Sequence, residues 1–145
     1  VSQLLLPYRL RAAAADAPYH RLTLTVGEAV TAEPLRCGRI LVRLPLATPA
    51  LDGDPVCVQT TTDPVHGAAQ GRAWRVLANT TDPAAVTFAL VPDCDATFDG
   101  SWTAKFTLDV DHALAGTADI TEETGAGTLT ARTDTITAEG TSRDA

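Results

Sequence analysis

The sequence predicts an all-β chain folded as a two-layer antiparallel sandwich of eight to nine short strands. Three observations predict it. The first is a strict two-residue alternation: Trp102, Ala104, Phe106, Leu108 and Val110 are separated by Thr103, Lys105, Thr107 and Asp109, so one set meets a core and the other meets water. The second is punctuation: short runs of this kind recur between clusters of Pro, Gly, Asn and Asp, with no amphipathic helix of ordinary length. The third is the frequency of threonine, which falls on the polar parity of most runs, where β-branched residues pack well on a pleated surface.

Residues 3–11 alternate imperfectly and contain Pro7, which suits an edge strand or an extended arm. The alanines at 12–15 are expected to make one helical turn, stopped by Asp16-Ala17-Pro18. Leu22, Leu24 and Val26 alternate with Thr23 and Thr25, and Val30 continues that strand beyond Gly27. The run 37–46 places Ile40, Val42, Leu44 and Leu46 on one face, and Leu41 on the other implies partial burial of both. Residues 47–55, with Pro49, Gly53 and Pro55, read as a loop; Val56, Val58 and the threonines after them read as a short strand. Another loop spans 63–71, around Pro64 and Gly67. Trp74 and Val76 mark the next strand, ended by Asn79-Thr80-Thr81-Asp82-Pro83, and Val86, Phe88 and Leu90 form one more, closed by Pro92. After 102–110 come a strand over 112–120 and a pair around Leu129 and Ile136. The expected core is Leu22, Leu24, Ile40, Val42, Leu44, Trp74, Val76, Phe88, Leu90, Trp102, Phe106, Leu108 and Ile120. Residues 1–138 read as a single domain, with 1–18 as its edge strand or arm, and 139–145 have linker composition.

At 145 residues the chain fits one domain with a self-sufficient core. Its net charge of −7 and single lysine, Lys105, argue against nucleic acid and against a polybasic membrane contact, both of which need clustered cations. The longest apolar run, Leu4-Leu5-Leu6 before Pro7, is too short to cross a bilayer, so no membrane insertion is expected. No basic start leads into a long apolar segment, and the lack of methionine leads us to expect that Val1 is not the translated start. Cys37, Cys57 and Cys94 lie far apart without C-x-x-C pairs, which argues against a thiolate zinc site. One inter-strand disulfide and three reduced, buried thiols remain the alternatives.

Candidate chemistry is sparse. Asp93, Asp95 and Asp99 form the densest acidic cluster; alternate carboxylates in a turn can converge on calcium, although the spacing is not that of an EF-hand loop, and an ordinary inter-strand turn explains them as well. Asp109 and Asp111 are expected as outward charges guarding a sheet edge. His20, His66 and His112 have no metal-ligand spacing, and only His66 falls in a long loop. Ser2, Ser101 and Ser142 lack a nucleophile-elbow context, and Cys57 has no adjacent basic pair to activate it. Glu122-Glu123 reads as a polar turn before Gly125-Ala126-Gly127. Trp74 and Trp102 fall on apolar parity and read as core rather than as a sugar-stacking pair, and Asn79-Thr80-Thr81 is a glycosylation sequon only in a eukaryotic secretory context.

The order of a Leu-Thr-Leu-Thr-Val strand, the run Cys37-Gly38-Arg39-Ile40-Leu41-Val42-Arg43-Leu44-Pro45, Trp74, Val86-Thr87-Phe88-Ala89-Leu90, Phe106-Thr107-Leu108 and Gly116-Thr117-Ala118-Asp119-Ile120 resembles immunoglobulin-like β-sandwich modules of uncharacterised, often multi-domain, bacterial proteins, including actinobacterial ones. The resemblance implies an immunoglobulin-like sandwich that offers loops or edges to partners or spaces other domains, and it carries over no catalytic residue. The expectation is a non-catalytic module for protein–protein binding or assembly, with a protein partner or a neighbouring domain. Contacts would come from residues 48–55 and 63–71 or from the Pro7 arm adding a strand to a neighbour. The setting expected is a larger bacterial surface, secreted or particle-forming protein, outside the cell or on its surface. Two alternatives stand beside it. One is a carbohydrate- or calcium-dependent surface-binding module, with calcium at Asp93, Asp95 and Asp99 as the sole cofactor considered. The other is an enzyme with a dispersed acidic site, which would need two carboxyls facing one cleft.

Overall fold

The computed structural model describes residues 8–13, 19–27, 35–50, 56–62, 74–93, 96–98, 103–125 and 128–138. Ten strands lie among them: β1 (Tyr8–Ala13), β2 (His20–Val26), β3 (Leu35–Pro45), β4 (Val58–Thr62), β5 (Trp74–Asn79), β6 (Ala85–Pro92), β7 (Ala96–Phe98), β8 (Ala104–Val110), β9 (Thr117–Gly125) and β10 (Thr130–Thr137). The first sheet runs β1-β2-β8-β4 and the second β10-β9-β3-β6-β5, with β7 also on β3; every pairing is antiparallel. Four strands in the first sheet and β10-β9-β3 in the second reproduce the ABED and GFC sheets of an immunoglobulin constant-type domain. Strands β5, β6 and β7 are inserted between the fourth and fifth strands of that scheme and widen the second sheet.

Alternation explains where the core sits. Leu22, Leu24 and Val26 of β2 and Phe106, Leu108 and Val110 of β8 turn inward against Ile40, Val42 and Leu44 of β3, Val86, Phe88 and Leu90 of β6, and Ala118 and Ile120 of β9, all buried. Trp74 and Val76 are half-buried and pack on this cluster. Trp74 spans the gap between the sheets, edge-on to Phe106 with ring centroids 5.5 Å apart and tilted at 6.2 Å to Phe98. Trp102 lies outside the described residues. Leu10, Cys37, Val56, Ala96 and Phe98 join the core although their alternation is too short or too irregular to announce it.

Several expectations are corrected. Ala12 and Ala13 continue β1, paired with Leu22 and Arg21, because a neighbouring strand outweighs the weak helical preference of alanine. The Asp-rich stretch after Pro92 contains β7, whose Ala96 and Phe98 are fully buried; three residues are too few for a period to show. The strand expected over 112–120 begins only at Thr117, after Gly116 turns the chain with φ +90°, and it runs on to Gly125. Glu122 and Glu123 are therefore strand residues and form no turn. Strand β8 is central, flanked by β2 and β4, so Asp109 guards no edge; it is 5% exposed and takes two hydrogen bonds from Arg21, from Nε at 2.8 Å and Nη2 at 3.0 Å. Asp111 lies just past β8, held by Cys57 and His112.

Gly27 ends β2 with φ +88°, and a Cβ built on it would stand 2.3 Å from Cδ1 of the buried Phe98 ring. Gly116 shares the left-handed backbone but has open space around it. Gly27→Ala combines backbone strain with overpacking and is expected to cost about 2–4 kcal/mol, against about 1 kcal/mol for Gly116→Ala. Urea denaturation of the two variants checks the difference.

Candidate binding surface

Opposite residues in an antiparallel pair point to the same side, so the registers define the outward face of the second sheet. Its middle row crosses five strands as Thr133, Thr121, Leu41, Ala89 and Leu77. Leu77 is 56% exposed and is the one large hydrophobic residue so exposed among those described. Val91, beside Arg75 in the adjacent row, extends the apolar area. Four of the charges flanking this row neutralise one another in pairs, while Arg75 stands exposed beside Val91. Arg39 donates to Oε2 of Glu123 from Nε at 3.0 Å and Nη2 at 2.5 Å, and Arg43 Nη1 lies 3.4 Å from Oδ2 of Asp119. Asp119 also accepts from Thr135 Oγ1 at 2.7 Å, and the Thr121 and Thr133 hydroxyls bond each other at 3.0 Å. The result is a strip of hydroxyl and aliphatic groups between two ion pairs, with Arg75 at its β5 end, the composition of a protein interface with a polar rim. The outward face of the other sheet differs: Arg9, Arg11, Arg21 and Lys105 stand among Thr23, Thr25 and Thr107, with Asp109 the only acid in those rows among the described residues.

Two polar clusters lie away from this surface. Tyr8, on the inner side of β1, donates its hydroxyl to Oε1 of Glu122 at 2.9 Å and so joins the first sheet to the second. Glu122 is fully buried and also accepts from the Thr124 hydroxyl. Burial, then the charge of Glu122, drives the Tyr8 phenol far above its ordinary pKa, so it remains a hydrogen-bond donor at any working pH. At the end of β8, Asp111 Oδ1 accepts from the Cys57 backbone N–H at 2.8 Å and from His112 Nδ1 at 2.7 Å. Burial raises the Asp111 pKa, but the Cys57 N–H and the His112 ring outweigh it, and the net shift is downward.

Of the residues singled out from sequence, Asp93 is exposed at the end of β6, while Asp95, Asp99, Cys94, His66 and the Pro7 arm lie outside the described residues, as do 51–55 and 63–71. Among the described residues no three His, Cys, Asp or Glu side chains converge as a metal site. Cys37 is buried and Cys57 exposed, and they are not bonded to each other. Asn79 caps the β5–β6 hairpin through its side-chain oxygen, which accepts from the Thr81 N–H at 3.0 Å and hydroxyl at 2.7 Å. The outward strip was missed in the sequence, yet a signal was there: with Trp74 and Val76 inward, Leu77 takes the wet parity, as Leu41 does in β3.

No family model matches the chain, and no curated protein matches it. Solved structures align over most of its length at low identity. An uncharacterised protein from Nocardia farcinica, described as having an immunoglobulin-like fold, is 14% identical with a TM-score of 0.46, covering 91% of this chain and 99% of that one. AvmM, which catalyses macrocyclization in alchivemycin A biosynthesis, is 10% identical with a TM-score of 0.41, over 94% and 90%. ACE19, the collagen-binding subdomain of the Enterococcus faecalis surface protein ACE, is 10% identical with a TM-score of 0.40, over 97% and 99%.

Tyr8→Phe removes a donor from a carboxyl that water does not reach and is expected to cost about 1–3 kcal/mol by chemical denaturation. Asp111 stabilises the fold at pH values above its ordinary titration range, and that contribution is lost as pH falls through its depressed folded pKa. The melting temperatures of the wild type and Asp111→Asn should therefore differ at neutral pH and converge below about pH 4, as thermal scans in a pH series would read.

Proposed function

We propose that this domain is a non-catalytic binding or assembly module, within a larger bacterial surface, secreted or particle-forming protein, and that it contacts a protein partner through the outward face of the β10-β9-β3-β6-β5 sheet. The observation that carries this reading is the row Thr133, Thr121, Leu41, Ala89 and Leu77, with an exposed leucine at one end and paired charges on its flanks. A charge that already has its counter-ion asks little of an incoming surface, so what remains for a partner is apolar area and the exposed Arg75. The abundance of Ala and Arg supports the bacterial setting.

A photo-crosslinking amino acid at position 77 should capture a protein at discrete mass in the producing cells. The same probe at Thr25, on the outward face of the other sheet, should capture nothing above background. Equal capture at both positions, or none at 77, would overturn the assignment of this face.

A further inference from the structure

We propose that the partner on this face is a second copy of the chain, related by a two-fold axis parallel to the strands and lying between β3 and β6. The inference rests on the assignment of the face as a binding surface and adds the identity and registration of what covers it. In a closed two-fold contact each residue meets the one at the mirrored position, so β3 of one copy lies over β6 of the other and β9 lies over β5. Residues keep their row under this operation. Leu41 then meets Ala89 of the second copy, a large side chain over a small one, twice about the axis. Leu77 meets the methyl-bearing Thr121 and leaves water. Arg75, exposed beside Val91, meets Glu123.

The charge pattern selects this axis over its rivals. Within these three rows the outward charges on β3 are Arg39 and Arg43, and those on β9 are Asp119 and Glu123; Arg36 lies beyond them. An axis across the strands through the Leu41 row would set Arg39 on Arg43 and Glu123 on Asp119, like on like. An axis along β3 itself would set each arginine on its own copy. Between β9 and β3 the charges would match, but β5 would have no counterpart and Leu77 would stay wet. Only the axis between β3 and β6 removes Leu77 from water and also gives Arg75 a counter-ion. Twisted sheets stacked face to face keep their strands within about 30° of each other, so rows close to the axis hold their registration.

The size of the contact sets its strength. Four strands about 4.8 Å apart and three rows about 6.8 Å apart make a footprint of roughly 400 Å² per copy, about half of the ~800 Å² of a standard interface. The dimer is accordingly a reversible one, seen as a concentration-dependent equilibrium between micromolar and millimolar protein.

Sedimentation velocity on the full chain tests this with two charge reversals, Arg75→Glu and Glu123→Arg. Each alone places like charges together twice and should weaken dimerisation at least tenfold. An equimolar mixture of the two variants places the new carboxylate at 75 over the new guanidinium at 123, and the native pair on the other side, so a heterodimer should form at wild-type concentrations. That rescue cannot come from a folding defect in either variant, and unchanged thermal melts check the point. A wild type that stays monomeric, a dimer indifferent to both reversals, or a mixture that does not associate would overturn the inference. If position 77 nevertheless captures a different protein, the binding face stands and the second copy falls; if it captures nothing, both fall.

Discussion

Strand β3 pairs with β9 along one side and with β6 and then β7 along the other, and among the described residues no other strand joins three neighbours. Its register with them therefore sets which side chains of the second sheet face in and which face out. The register shifts between Cys37 and Arg39, where Gly38 is the extra residue of a bulge. The shift lets Cys37 and Ile40 both point inward, and it puts Arg36 and Arg39 outward, where Arg39 reaches Glu123. Without that extra residue the parity of either end of β3 would invert, sending apolar groups to water and guanidiniums to the core.

Among the described residues the buried polar side chains have defined partners, except the Trp74 indole Nε1, which is buried without one. Glu122 stands in the position of an inward β9 residue, two along the strand from Ile120 and opposite Ile40, and it accepts hydroxyl protons from both sheets' sides of the gap, from Tyr8 and Thr124. A carboxyl in that place is tolerable only with donors aimed at it. On the edge strand β10 the inward side carries Arg132 and Asp134 beside Ile136, and Arg132 Nη1 reaches the Thr124 and Thr130 carbonyls. Inward charges on an edge strand discourage pairing with a stray strand, the role expected from the sequence for Asp109 and Asp111.

The fold was largely readable from the chain because alternation is a local signal. Ten of the thirteen expected core residues are fully buried, and Trp74 and Val76 sit half-buried against them. What failed to show were features fixed by distant partners. The three-residue β7 exists because Leu35–Cys37 needed a ladder after β6 ended, and the place of β8 inside its sheet depends on β4. Glu122 looked like turn chemistry because nothing near it in sequence announces Tyr8, 114 residues away. The outward strip was half-readable: parity exposes Leu41 and Leu77, but only the register shows that they share a row with Ala89 and the threonines.

The pairing of β2 with β8 brings together residues as distant as Arg21 and Asp109, which are 88 positions apart and hydrogen-bonded, and His20 and Val110 beyond them. Hairpins such as β5–β6 and β9–β10 can close within a few residues, whereas the sheet holding β1, β2, β8 and β4 must wait for the chain to fold back across most of its length. Refolding is therefore slow for a domain of this size, on the order of milliseconds to seconds. Until β8 is made and gathers β2 and β4, the inner side of β3 and β6 stands open to other chains, and crowded synthesis is where this protein is most vulnerable to misassembly.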